Sequence, residues 1–335
     1  MVSTVGGYLK RREVITLLGG FGAALPALVA RGQVLTKPAL IGVLVAGSKE
    51  ATQPRVSGFP QGMQELGYVQ GRNYIIEGRY GDSDLARLPT LFQQLVDLKP
   101  DVILTGTTAG ILEVKRATVT IPIVGASLTD PVGFGLAASL ARPGGQVTGI
   151  LISSDNLAAK QIELALEILP GAKKIGMLIH AGNQSNMVHW RNLEAATGAL
   201  ALKLVRAEAH GPSDLDAAFQ TLAGEHVELV VLPPDGLFVS ERRKIVALAA
   251  ATRLPVVHPY RELVEAGGLL SYGVDLRDSW RRAAGFVDKI LKGAKPADLP
   301  IEQPTNEMVI NVKTAKALGL DIPPTALARA NQVIQ

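Results

Sequence analysis

Thr105-Gly106-Thr107-Thr108-Ala109 sets three hydroxyls around a glycine where a predicted strand ends and a helix begins. Hydroxyls and free backbone N–H groups at a helix N-terminus make an anion site suited to a carboxylate, and Thr107 can cap the helix at the same time. Ser127-Leu128-Thr129-Asp130-Pro131 follows the next predicted strand. Its Asp130 either accepts an ammonium group or caps a helix, and capping is the commoner reason for Asp before Pro. In the second half of the chain, Ala181-Gly182-Asn183, Pro233-Pro234-Asp235 and His258-Pro259-Tyr260 hold equivalent places after strands. Each by itself reads as ordinary loop chemistry. Their shared position sets them apart, because polar loops at the ends of strands can converge on one small ligand.

Other chemistries find less support. The run from Gly42 to Lys49 approaches a phosphate loop but ends in Ser-Lys, where that loop needs Lys followed by Ser or Thr to reach magnesium. Neither a G-x-G-x-x-G after a strand nor a G-x-S-x-G elbow is present. His180, His189, His210, His226 and His258 have no spacing that sets two on one helical face as metal ligands, and there is no cysteine for thiol chemistry. No cofactor, metal or catalytic residue is expected. A carboxylate pair assembled only by folding stays open.

The elements that must position these loops alternate short β-rich apolar runs with amphipathic stretches, the pattern of parallel α/β domains. In the first half, strands are expected over 39–45, 73–80, 101–105, 121–126 and 147–152, with helices over 53–66, 85–98, 107–117 and 132–141. Glu65-Leu66-Gly67-Tyr68 marks a helix stop, and Lys99-Pro100-Asp101 breaks the chain before a strand. The second half repeats the alternation. Helices are expected over 156–169, 187–200, 213–223, 240–252 and 275–292, and strands over 174–179, 203–206, 228–232, 255–258 and 268–273. The tail is expected to add a strand over 299–303 and a helix over 311–318 that stops at Gly319. Two similar halves predict two doubly wound lobes, which bind ligands at the carboxyl ends of their strands.

The first 35 residues stand apart. Lys10-Arg11-Arg12-Glu13 precedes an apolar, glycine-rich run ending in Ala27-Leu28-Val29-Ala30, the order of an export leader. The paired arginines suit twin-arginine export, with general secretion as the other route and an uncut membrane anchor as a further alternative. The run is interrupted by Pro26 and is short of a membrane span. The whole chain carries a formal charge of +4, and the leader holds four basic residues against one acid. The remaining ~300 residues are therefore close to neutral and suit two domains, and nucleic acid, which needs a basic stripe, is not an expected partner.

Several stretches together resemble the ABC-transporter substrate-binding proteins of the tryptophan/tyrosine-type uptake group. They are Arg11-Arg12-Glu13, the run Glu65 to Asn73, Thr120 to Val124 with Asp130-Pro131-Val132, the run Leu140 to Gly149, Glu265 to Gly273, and Leu299 to Thr305. The resemblance implies a type I periplasmic binding fold: α/β, two Rossmann-like lobes joined by three crossings near 152–155, 272–275 and 303–306. Lobe one would take residues 38–153 and 276–298, and lobe two 154–273 and 304–335. It implies an extracytoplasmic, periplasmic, monomeric receptor that captures a small polar ligand, an aromatic amino acid or related carboxylate, and delivers it to a membrane permease. Carried over by position, ligand contacts fall on Ser48, Thr107, Thr108, Asp130, Asn183, Asp235 and Asp275, with the ligand carboxylate on Thr107 and Thr108 and its ammonium near Asp130 or Asp235. The first loop, Gly47-Ser48-Lys49-Glu50-Ala51, and the turn His180-Ala181-Gly182-Asn183 depart from the family's usual residues. The competing readings are an exported enzyme with its active site between lobes and a ligand-sensing regulator of the same fold.

Overall fold

Strand β1 (Ala39–Val45), Ala-Leu-Ile-Gly-Val-Leu-Val, is buried along nearly its whole length, as a parallel strand must be when helices cover both faces of its sheet. The structure, a computed structural model, describes residues 37–117, 120–153 and 156–335. The leader therefore lies outside the described residues, as do positions 154–155 of the first expected crossing. β1 pairs in parallel with β2 (Tyr74–Tyr80) and β3 (Val102–Thr105), and β4 (Ile123–Thr129) and β5 (Val147–Ser153) extend the sheet in the order β2-β1-β3-β4-β5. The helices of this half are α1 (Lys49–Val56), α2 (Gly58–Glu65), α3 (Leu88–Asp97) and α4 (Thr108–Ala117).

After α5 (Leu157–Ile168) the pattern repeats. β6 (Lys174–His180), α6 (Gln184–Ala199), β7 (Lys203–Ala209), α7 (Leu215–Gly224), β8 (Leu229–Val231), α8 (Gly236–Ser240), α9 (Arg242–Thr252), β9 (Val256–His258), α10 (Arg261–Glu265) and β10 (Leu270–Gly273) follow in turn. The chain then runs through α11 (Leu276–Leu291), β11 (Glu307–Asn311), α12 (Val312–Leu318), α13 (Pro324–Arg329) and β12 (Gln332–Ile334). The second sheet has the order β12-β11-β10-β9-β8-β6-β7, with β11 antiparallel to β10. Its parallel part, β7-β6-β8-β9-β10, has the same winding as the first sheet. Both show the doubly wound order whose switch point falls between the first and third strands.

The chain passes between the sheets three times. It leaves β5 for α5, and α11 then comes back to pack on α2, β4 and β5 of the first sheet. Glu302 bridges to Ile150 at the first sheet before β11 joins the second. α11 docks closely because α2 presents glycines to it. A Cβ on Gly58 would lie 2.1 Å from the Arg277 carbonyl oxygen, and one on Gly62 would lie 2.2 Å from that of Arg281. The Glu65–Tyr68 turn fastens the same helix: the Tyr68 hydroxyl donates to Asp288 at 2.9 Å and Arg281 pairs with Glu65 at 2.9 Å.

Three expected elements differ. Residues 132–141 form turns and bends instead of a helix, because Asp130 and Gly135 take the left-handed conformation (φ 44° and 64°) and Asp130 folds its carboxylate back onto the Gly133 N–H at 2.8 Å. The stretch 299–303 makes one bridge to the edge of β5 and no strand, and the tail strands are β11 and β12. The single helix expected over 53–66 is two helices, α1 with Pro54 inside it and α2 beginning at Gly58.

Candidate functional site

Both switch points open onto one cleft. From the first sheet come Gly106, Thr107 and Thr108 after β3, Ser127 and Thr129 on β4, Ile152 on β5, and Arg55 from α1. From the second come Asn183 and Ser185 after β6, Pro234, Asp235 and Gly236 after β8, and Tyr260 after β9. The cavity at its centre is about 40 Å³, space for roughly two or three water molecules. An amino-acid-sized solute therefore needs the walls to move apart.

Four of the seven residues expected to contact ligand line this cleft: Thr107, Thr108, Asn183 and Asp235. Thr108 is the first residue of α4, and its hydroxyl accepts the Thr129 N–H at 2.9 Å, tying the helix start to the end of β4. The Thr107 N–H is directed to the Thr105 hydroxyl at 3.3 Å. The first turn of α4 keeps the free N–H groups that every helix start leaves.

The other three are engaged elsewhere. Ser48 caps α1, its hydroxyl accepting the Ala51 N–H at 3.3 Å. Asp130 closes the turn onto Gly133 described above. Asp275 caps α11 through the Asp278 N–H at 3.0 Å and pairs with Arg261 at 3.3 Å. None of the three is on the cleft lining.

Asp235 sits at the centre of a buried polar cluster. Its Oδ1 accepts the Leu237 N–H at 2.7 Å, and its Oδ2 accepts amide N–H groups from Asn183 at 2.6 Å and Asn186 at 3.1 Å. The Nδ1 of His180 lies 3.1 Å from both oxygens. Asn186 is held in turn by the His180 backbone N–H, which donates to its Oδ1 at 2.9 Å. Burial alone lowers the pKa of the His180 imidazole, but the hydrogen bond and charge of Asp235 outweigh it and the net shift is upward. Burial likewise raises Asp235, and its donors reverse that and hold the carboxyl below its usual range. The pair is therefore an imidazolium and a carboxylate that neutralise each other. Behind it, burial pushes His189 down to about 4 and His258 to about 3, so both are neutral.

Sequence reasoning missed Arg55. Its side chain is buried, with no hydrogen bond or ion pair to any described residue, and it lines the cleft. Burial lowers its pKa, partly offset by Glu262 and Tyr260, yet a guanidinium keeps its charge in proteins. Arg55 is thus a desolvated cation with no ion-pair partner among the described residues, and it lines the same cavity as Thr107 and Thr108 at the start of α4. That arrangement can hold a carboxylate in charge-assisted hydrogen bonds. The clue in the sequence was slight: an arginine in the last turn of the helix that follows the first strand.

A profile of the family described as "ABC transporter substrate binding protein" matches residues 40–334. A tyrosine-binding protein of Clostridioides difficile is 28% identical over 265 residues, covering 78% of this chain and 76% of that protein. Among solved structures, an ABC domain from Streptococcus pneumoniae in complex with L-Trp is 28% identical, with a TM-score of 0.82, covering 89% of this chain and 100% of that one. A conserved domain protein from Vibrio cholerae is 30% identical with a TM-score of 0.83, at 89% and 100% coverage.

Proposed function

Since the chain belongs to the ABC transporter substrate-binding protein family, we propose that it is the extracytoplasmic receptor of an importer and captures a small solute by its carboxylate. The solute is an aromatic amino acid or a related carboxylate, the class to which the ligands named for two relatives belong. The observation that carries this reading is the buried Arg55, without an ion-pair partner among the described residues, on the same cavity lining as the start of α4. The lobes 38–153 with 276–298 and 154–273 with 304–335 close on the solute, since neither set of loops surrounds it alone. Export through the leader of residues 1–35 brings the receptor to its permease, to which it delivers the solute as a monomer without cofactor or chemical change.

Isothermal calorimetry with L-tyrosine, L-tryptophan and their carboxylate relatives tests the reading. At least one should bind, and Arg55→Met should weaken it about ten- to a hundredfold, because a hydrogen bond to a charged group contributes roughly 1.5–3 kcal/mol. A folded Arg55→Met variant with wild-type affinity would refute the site.

A further inference from the structure

Among the described residues the cleft lining contains one cation, Arg55, and one carboxylate, Asp235, and only the cation is without a side-chain partner. Asp235 already receives donors from Leu237, Asn183, Asn186 and His180, and those partners belong to its own half of the molecule. A carboxylate offers about four acceptor positions, so a ligand ammonium at Asp235 would have to displace a buried partner and leave that partner unsatisfied. Its charge would also meet that of His180. The other side-chain acceptors on the described lining are hydroxyls and the Asn183 Oδ1, which already takes the Ser185 N–H at 3.0 Å, and backbone carbonyls there offer an ammonium no negative charge. Asp130 and Asp275, the remaining aspartates expected to contact ligand, are held at loop and helix caps off the lining.

We propose that this cleft selects a carboxylate solute without an α-ammonium group, an aryl-alkyl or 2-oxo carboxylate, over the matching amino acid. The proposal rests on the reading of Arg55 as the carboxylate anchor and narrows its ligand class. Desolvating an ammonium without an anionic partner is costly, whereas the deamino compound brings one negative charge to one unpaired positive charge. Two further carboxyls need direct testing. Glu262 is within electrostatic reach of Arg55 without forming an ion pair, its buried Oε2 has no hydrogen-bond partner, and burial raises its pKa, which favours the neutral acid. Asp155 lies outside the described residues.

The test compares matched pairs by calorimetry on the exported protein: L-tyrosine with 3-(4-hydroxyphenyl)propanoate and 4-hydroxyphenylpyruvate, and L-tryptophan with indole-3-propanoate. At least one deamino compound should bind ten or more times tighter than its amino acid, with both weakened by Arg55→Met. Glu262→Gln and Asp155→Asn should leave the ratio within a pair unchanged. Tighter binding of the amino acids, still dependent on Arg55, overturns the preference while the anchor stands. A ratio that shifts toward the deamino compound in either carboxyl variant exposes an ammonium acceptor and overturns it as well. No binding by any of the five compounds sinks both the preference and the reading beneath it.

Discussion

At the scale of single residues, the buried histidines give the fold a pH dependence of definite sign. His189 and His258 are neutral in the folded protein, with pKa values pushed by burial to about 4 and about 3. Unfolded, each would titrate near 6.5. Their contribution is complete above pH 6.5 and is lost as pH falls toward the folded values, at up to about 1.4 kcal/mol per pH unit for each. The His180–Asp235 pair behaves differently. His180, raised, contributes below its unfolded pKa and loses that contribution as pH rises through the folded one, while Asp235, lowered, contributes above its ordinary range. Between pH 6.5 and 4 the pair is therefore constant, the two neutral histidines steepen the loss of stability on acidification, and the raised carboxyls of Glu262 and Glu307 act in the opposite sense. Both ring nitrogens of His189 lack partners, so His189→Leu removes a titrating group and breaks no hydrogen bond. Urea titrations from pH 7 to 4.5 should show a shallower loss of stability in this variant, and an unchanged slope would mean that His189 is protonated in the fold.

At the scale of elements, the contact of α11 with α2 decides whether the returning helix stays on the first sheet. α11 buries Trp280, Ala283, Ala284 and Val287, and the glycines of α2 let its backbone come close. Gly62→Ala would place a methyl group 2.2 Å from the Arg281 carbonyl oxygen and 2.8 Å from the Ala284 Cβ. Backbone must shift to admit it, and overpacking of this kind costs about 1–3 kcal/mol. Thermal unfolding should record the loss. Gly285, on α11 with open space around its Cβ position, serves as the control, where Ala should be neutral or stabilising by up to about 1 kcal/mol. Equal effects at the two glycines would dissociate the loss from the helix contact.

At the scale of the whole molecule, the two halves meet around a cavity that is too small for the solutes considered, so binding and release require separation. The loop after β1 touches α8 directly: a Cβ on Gly47 would lie 2.5 Å from the Ser240 hydroxyl and 2.8 Å from the Thr52 Cγ2. Gly47→Val should hold the halves apart. Small-angle scattering of the wild type should give a smaller radius of gyration with a saturating solute than without, whereas Gly47→Val should stay expanded and bind more weakly while remaining folded. A wild-type radius that does not change at saturation would exclude lobe closure as the capture step.

The alternation of apolar runs and amphipathic stretches determined the two doubly wound sheets, because burial on both faces leaves a parallel strand such as β1 free of polar residues. Loops at strand ends are legible for the same reason, and Thr107, Thr108, Asn183 and Asp235 lie on them. Four local outcomes were not legible. Whether Asp130 closes a turn or faces a ligand, and whether Asp275 caps a helix or enters the cleft, depends on backbone angles that hardly register in the identity of a residue. The sequence does not show that the Asp235 carboxylate is occupied, because His180, Asn183 and Asn186 converge on it from 49 to 55 positions away. Arg55 was indistinguishable from a solvated helix residue, since only the packing of one half of the chain against the other removes its water and leaves its charge unpaired.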